Sequence, residues 1–185
     1  MTFESDMEKE DFPHGSEEKF HEAQIPLALN AISEFENAKN EEEEFYALSR
    51  AAFAFVVLNN MPKAKCAAER FLELSVSFEN NWNYGNAIHN ANIVLGICSF
   101  DAGDINAAKK YLEQAGNTPG SPQLNSFGPN MQLAKKLLSV GERDVVLNYF
   151  NLCEKFWKRG HEWLRVWREK ISKQEIPRFY MNLYV

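Results

Sequence analysis

Asn86, His89, Asn90 and Ile93 recur at intervals of three and four in and just after the stretch NNWNYGNAIHNAN, Asn80 to Asn92. On a helix that spacing puts all four on one face. Carboxamide side chains both donate and accept hydrogen bonds, so such a face suits recognition of an extended peptide backbone or a polar small molecule. A structural reading stands beside it. Asn near a helix start also satisfies local amides, and a single His there serves equally as a cap or a buried hydrogen-bond partner.

Other residue types offer less. His14, His21, His89 and His161 form no HExxH pair, and Cys66, Cys98 and Cys153 form no CxxC or Cys/His cluster at zinc spacing. Each Cys lies in apolar helical surroundings, where a thiol packs as a small hydrophobe. Glu41 to Glu44 would spread around a helix rather than converge on a cation, and read as a solvated helix start favoured by its dipole.

NTPGSPQLNSFGPN, Asn117 to Asn130, holds three prolines and two glycines. Its serines lack the flanking glycines of the GxSxG nucleophile elbow. The prolines predict a stiff connector that sets the direction of two helices, with Pro129 in the first turn of the second and Ser126 or Gly128 as its cap. In a functional reading Gln123, Asn125 and Ser126 face a partner. Nothing here predicts an enzyme, a metal or a cofactor.

The elements that must position these residues are helical, because apolar residues recur at three and four rather than at two. Expected helices are 16–38, bent or divided at Pro26, then 41–59, 62–77, 86–100, 105–115, 130–140, 142–159 and 161–173. Asp104 is placed to cap the helix after it, while Gly116, Gly141 and Gly160 suit left-handed helix ends. Connections inside pairs are short, so neighbouring helices are antiparallel.

The chain has 185 residues, 45% of them of hydrophobic type, and the size of one domain. Its net charge of -6 is uneven. Residues 1–48 hold fourteen acids against three Lys, net -11, and the remaining 137 hold twelve acids against seventeen Lys or Arg, net +5. Residues 1–15 read as an acidic, mobile tail and 16–185 as one helical domain. The longest apolar run, AAFAFVVL at 51–58, is far short of the roughly 20 residues that span a bilayer, and the acidic start lacks the form of a secretory signal. A cytoplasmic address is expected.

Self-similarity gives the architecture. AERFLELS at 68–75 aligns with AKKYLEQA at 108–115, an offset of forty, and VLNYFNLC at 146–153 follows thirty-eight later. Each copy carries a small or slim residue, then an aromatic-large pair, then another small residue. That order lets a neighbouring helix approach closely.

On these residues the chain resembles the tetratricopeptide repeat (TPR) family, most clearly in ANIVLGICSFDAGDINAAKKYLEQA, Ala91 to Ala115. Leu95 and Gly96 look like the motif's Leu-Gly pair, Gly103 like its turn glycine, and Ala108, Leu112 and Ala115 like its second helix. Leu133, Ala134, Leu137, Gly141, Phe150 and Cys153 match in the next unit, and Phe55, Ala68, Leu72 and Ser75 in the earlier one. The motif's Trp is Asn92 here, its Tyr is Ser99, and the spacing exceeds the usual repeat of about 34 residues.

The resemblance implies an all-α, TPR-like right-handed superhelix of antiparallel pairs, with units of about 41–77, 86–116 and 130–159 and a C-terminal capping helix at 161–173. It implies a concave groove lined by Arg50, Phe53 and Val57, by Asn90, Ile93 and Ile97 with Asn86 and His89 on their face, and by Met131, Lys135 and Leu138. The 117–130 loop would fold over its rim. Such a protein binds a protein or peptide partner and is not an enzyme.

An alternative lies in EKFWKRGHEWLRVWREKISKQEIPRFYMNLYV, Glu154 to Val185, where eight Lys or Arg against four Glu interleave with aromatics. Such a segment can stack bases and neutralise phosphates of RNA or single-stranded DNA. In the simpler reading Leu164, Trp167 and Ile171 form the stripe of the capping helix. After Pro177 the tail FYMNLYV would strap across a neighbouring groove or extend a homodimer contact.

Overall fold

A computed structural model describes residues 17–183 of the chain. The acidic 1–15 stretch and the last two residues lie outside the described residues. Among those described there are nine α-helices and no strand. They are α1 (Glu17–Glu36), α2 (Glu41–Val57), α3 (Met61–Ser75), α4 (Tyr84–Asp101), α5 (Ile105–Gly116), α6 (Pro122–Phe127), α7 (Gln132–Ser139), α8 (Arg143–Cys153) and α9 (His161–Ser172). Short 3₁₀ turns cover Val76–Phe78 and Tyr180–Leu183. No described helix is long and apolar enough to cross a membrane.

Local chemistry starts these helices. Asn40 accepts from the Glu43 amide at 2.9 Å while the Glu43 carboxylate accepts from the Lys39 amide at 2.9 Å, a reciprocal cap on α2. Asp104 caps α5 by accepting from the Ala107 amide at 2.9 Å, as its position predicts. Pro26 does not divide α1. The Glu22 carbonyl that loses a donor there belongs to an exposed residue, and so does the proline.

Successive helices pack as antiparallel neighbours, α1 on α2, α2 on α3, α3 on α4 and α4 on α5. Contacts also run from α2 to α4, from α4 to α7 and from α5 to α8. Helix α4 is the hub, apolar or small around nearly its whole circumference and buried from Gly85 to Ile97 save Ile88. At Gly96 an added Cβ would stand 2.1 Å from Leu133 Cδ2, so this glycine sets how closely α7 approaches.

The aligned small positions are all buried: Ala68, Ala108 and Val146 at one end of the pattern, Ser75, Ala115 and Cys153 at the other. In the first copy Phe71, rather than Leu72, is the residue fully inside. Several expectations change. Gly141 is left-handed at φ 85°, but Gly116 and Gly160 are not. Gly116 instead admits Leu152 and Tyr149 of α8, and Gly160 lies against the Trp157 ring.

Helix α8 stops at Cys153 rather than continuing to residue 159, because the chain turns there and buries Phe156 and Trp157. Cys153 packs inside as expected, whereas Cys66 is exposed. Glu44 is not merely solvated, since it takes two hydrogen bonds at 2.9 Å from Arg70, which also meets Glu41 and Glu73. Glu44 above all, and Glu73 with it, hold the Arg70 guanidinium even more firmly protonated than usual.

Candidate carboxamide-lined site

The 117–130 stretch is an ordered bracket fastened to the start of α4. Neither Ser126 nor Gly128 caps the helix after it, and Pro129 is not in that helix's first turn: α7 starts at Gln132 with Met131 as its cap residue. The Ser121 hydroxyl instead accepts from the Leu124 amide at 3.0 Å and opens the unforeseen α6. The same hydroxyl donates to Asn86 Oδ1 at 2.5 Å. Thr118 Oγ1 donates to the Gly85 carbonyl at 2.7 Å. Gly85 is required here, because a Cβ would lie 1.8 Å from the Gly120 carbonyl oxygen.

The C-terminal tail fastens the other side. Phe179 is buried against Trp167, with ring centroids 4.9 Å apart at 77°, and against Phe150. That anchor delivers Asn182, whose Nδ2 donates to the carbonyls of Phe127 at 3.1 Å and Pro129 at 2.9 Å. Its own carbonyl accepts from the Met131 amide at 2.6 Å. The strap thus closes on the chain's own loop.

Between bracket, strap and the helices lies a cavity of about 390 Å³. Ser49 of α2 and Asn86 and Asn90 of α4 form one wall, and Gln123, Leu124 and Phe127 of α6 another. Gly128, Pro129, Asn130 and Asn182 complete it. Five of these residues are carboxamides and none carries a charge. Phe127, 78% exposed, stands at the lip. Asn90 Nδ2 reaches Ser49 Oγ at 3.4 Å, and Asn86 Nδ2 donates to Asn83 Oδ1 at 2.8 Å and Gln123 Oε1 at 3.4 Å.

Of the residues expected to line a groove, Asn86, Asn90 and Gln123 do come together here. Asn125 does not; its Oδ1 accepts from the Lys158 amide at 3.0 Å and ties the bracket to the chain after α8. Ser126 is exposed beside Phe127, outside the cavity lining. Arg50, Phe53 and Val57 line a separate, smaller cavity of about 130 Å³ beneath α1. Arg50 is ion-paired to Glu34 of α1. Helix α1, which the repeat units from 41 onward left out, covers these residues.

Ile93, Ile97, Met131 and Leu138 are core residues rather than groove lining, because α4 and α7 turn these side chains toward each other and their neighbours. Lys135 is half-buried on α7. His89 is fully buried too. Its Nε2 accepts from the Asn130 amide at 3.0 Å, which leaves the proton on Nδ1 to be donated to the Ala115 carbonyl at 3.1 Å. Burial pushes its pKa down to about 4, with the Ala115 bond opposing. A neutral imidazole with both nitrogens engaged positions a backbone; it has no lone pair left for a substrate proton.

Tyr149 completes that support by donating to the Asn130 carbonyl at 2.9 Å. Asn130 is therefore held at both backbone polar groups. The sequence reading missed Ser49, Phe127, Asn130 and Asn182. Only the carboxamides of Asn130 and Asn182 carried a signal, and it needed the strap to give it a place.

Matches to known proteins add nothing to this geometry. The chain matches no family model, no curated protein and no solved structure.

The aromatic C-terminal segment is used internally: Trp157, Trp167 and Phe179 are buried together, with Trp163 half-buried beside them. Among the described residues no three His, Cys, Asp or Glu gather as a metal site.

Proposed function

We propose that this protein is a binding module that takes a peptide segment of a protein partner in the carboxamide-lined cavity. The carrying observation is the lining itself. Five carboxamides and a hydroxyl surround an uncharged space, and an exposed phenylalanine stands at its lip. Amide groups match the mixed donors and acceptors of a peptide, and the ring gives an adjoining apolar side chain a surface to cover.

The lining has no general acid, base or strong nucleophile, which favours binding over catalysis. We further propose that the helix pairs are a divergent TPR-like stack, with α2, α4 and α7 as first helices. Their mutual contacts in that order, and the cavity on the side where Ser49, Asn86 and Asn130 meet, support this reading. Nucleic-acid binding through the C-terminal segment draws less support, since among the described residues Trp157, Trp167 and Phe179 are buried and offer no face on which a base can stack.

Photocrosslinking tests the site. A benzophenone amino acid at position 127 should capture a protein partner from extract, and one at exposed Val140 should not. Capture should vanish in the Asn90→Ala, Gln123→Ala double variant. Equal capture from both positions would count against the cavity.

A further inference from the structure

We infer that Trp82 is a second anchor beside the cavity, and that its outer face takes a cationic side chain, Arg or Lys, from the same segment that enters the cavity. This rests on the peptide-binding reading and names the chemistry of the partner. Trp82 is 50% exposed, yet its ring is not loose. It stacks on Tyr46 of α2, with centroids 5.6 Å apart at 25°. The Tyr46 hydroxyl in turn accepts from Asn81 Nδ2 at 2.8 Å.

The ring and the cavity share a frame. Asn81 Oδ1 accepts from the Asn83 amide at 2.8 Å, and Asn83 Oδ1 accepts at 2.8 Å from Nδ2 of Asn86, a residue of the cavity wall. On α2, Tyr46 stands three residues before Ser49 of the same wall, so the two are neighbours on one helix face. An extended segment seated against Ser49 and Asn86 advances about 3.3–3.6 Å per residue, and needs only a few more residues to reach Trp82.

The charges around the ring decide what it takes. Stretches 41–50 and 76–90 carry Glu41, Glu42, Glu43, Glu44 and Glu79 against Arg50 alone, His89 being neutral. Arg50 is neutralised by Glu34, and Arg70 holds Glu41 and Glu44. Glu43 accepts from the Lys39 amide. Glu42, one turn before Tyr46, and Glu79, three residues before Trp82, are exposed and have no ion pair among the described residues. An aromatic face beside uncompensated carboxylates favours a cation, which the ring quadrupole attracts and the carboxylates can bond. The same carboxylates repel an acidic segment, and a neutral side chain would use the ring but not the charge.

The test is selection of phage-displayed random dodecapeptides on the immobilised full chain. Synthetic copies of the retained peptides are then titrated against the wild type, Phe127→Ala, Trp82→Ala and the Glu42→Gln, Glu79→Gln double variant. Retained peptides should share an Arg or Lys, and changing it to Gln should weaken binding about fivefold or more. Trp82→Ala should do the same. The double variant, which leaves the ring in place and its thermal melt unchanged, should weaken binding and reduce its dependence on salt. Peptides lost in Phe127→Ala that share no basic residue, or whose binding survives Trp82→Ala or the double variant, overturn the Trp82 assignment and leave peptide binding standing. Loss in Trp82→Ala with Phe127→Ala unchanged overturns the link between ring and cavity. Retention indifferent to all three variants, or no retention, overturns both readings.

Discussion

The amide of Asn130 donates to Nε2 of His89 at 3.0 Å, across a sequence separation of 41 residues. That bond joins the hub helix α4 to the entrance of α7 and sets the Asn130 backbone beside the cavity. It also makes the fold sensitive to acid. The folded pKa of His89, about 4, lies below the ordinary 6.5, so between those values the unfolded chain binds the extra proton. Its contribution is complete above about pH 6.5, is lost as the pH falls toward about 4, and is constant below.

Across that window stability should drop by about 3 kcal/mol on account of this one group. Urea midpoints between pH 7.5 and 4 measure it. His89→Gln should cost about 1–3 kcal/mol at neutral pH and flatten the slope over that range. An unchanged slope in the variant would remove His89 from the acid response.

Gly85→Ala should destabilise the protein by at least about 2 kcal/mol, because the new methyl would stand 1.8 Å from the Gly120 carbonyl oxygen and backbone cannot yield cheaply. Gly103→Ala is the informative control. Nothing crowds a Cβ at Gly103, so only its left-handed φ of 83° is strained and the loss should be nearer 1 kcal/mol. Chemical denaturation that ranks the two the other way would contradict the close approach of bracket and hub.

Phe179→Ala should cost about 3–5 kcal/mol, since the ring is fully buried between Trp167 and Phe150. It should also release Asn182 and speed hydrogen exchange at the Met131 amide, which the strap carbonyl holds. Asn182→Ala should speed that exchange with a smaller loss of stability. Exchange at Met131 unaffected by either change would mean the strap does not close the site.

One thiol should react quickly with Ellman's reagent in the native protein. Cys66 is exposed, whereas burial pushes the Cys98 thiol up to about 11 and the Cys153 thiol higher still. Cys66→Ser should abolish the fast phase, and unfolding should reveal the other two. A fast phase of more than one equivalent would contradict this packing.

Much of the helical frame was legible because it rests on local signals: the three-four spacing of apolar residues, the Asp104 cap, and the small positions Ala68, Ala108 and Cys153. Asn86, Asn90 and Gln123 were legible as polar handles for a related reason, their amides standing out on otherwise apolar faces. What was hidden depends on distant partners. Helix α6 is one turn and a half of chain between prolines, too short for periodicity to register. Asn182 gains its place only when Phe179 docks on an aromatic cluster from α8 and α9. His89 looked equally fit for a ligand or for the core until Ala115 and Asn130 closed on its two nitrogens.

The side-chain amides of the cavity can be watched directly by ¹⁵N-edited NMR. A synthetic peptide covering the partner segment that is crosslinked at position 127, titrated into the labelled full chain, should shift the NH₂ signals of Asn90, Gln123, Asn130 and Asn182 together, saturating at one equivalent, while that of exposed Asn106 stays fixed. Binding that leaves those four signals unmoved would put the partner elsewhere on the molecule.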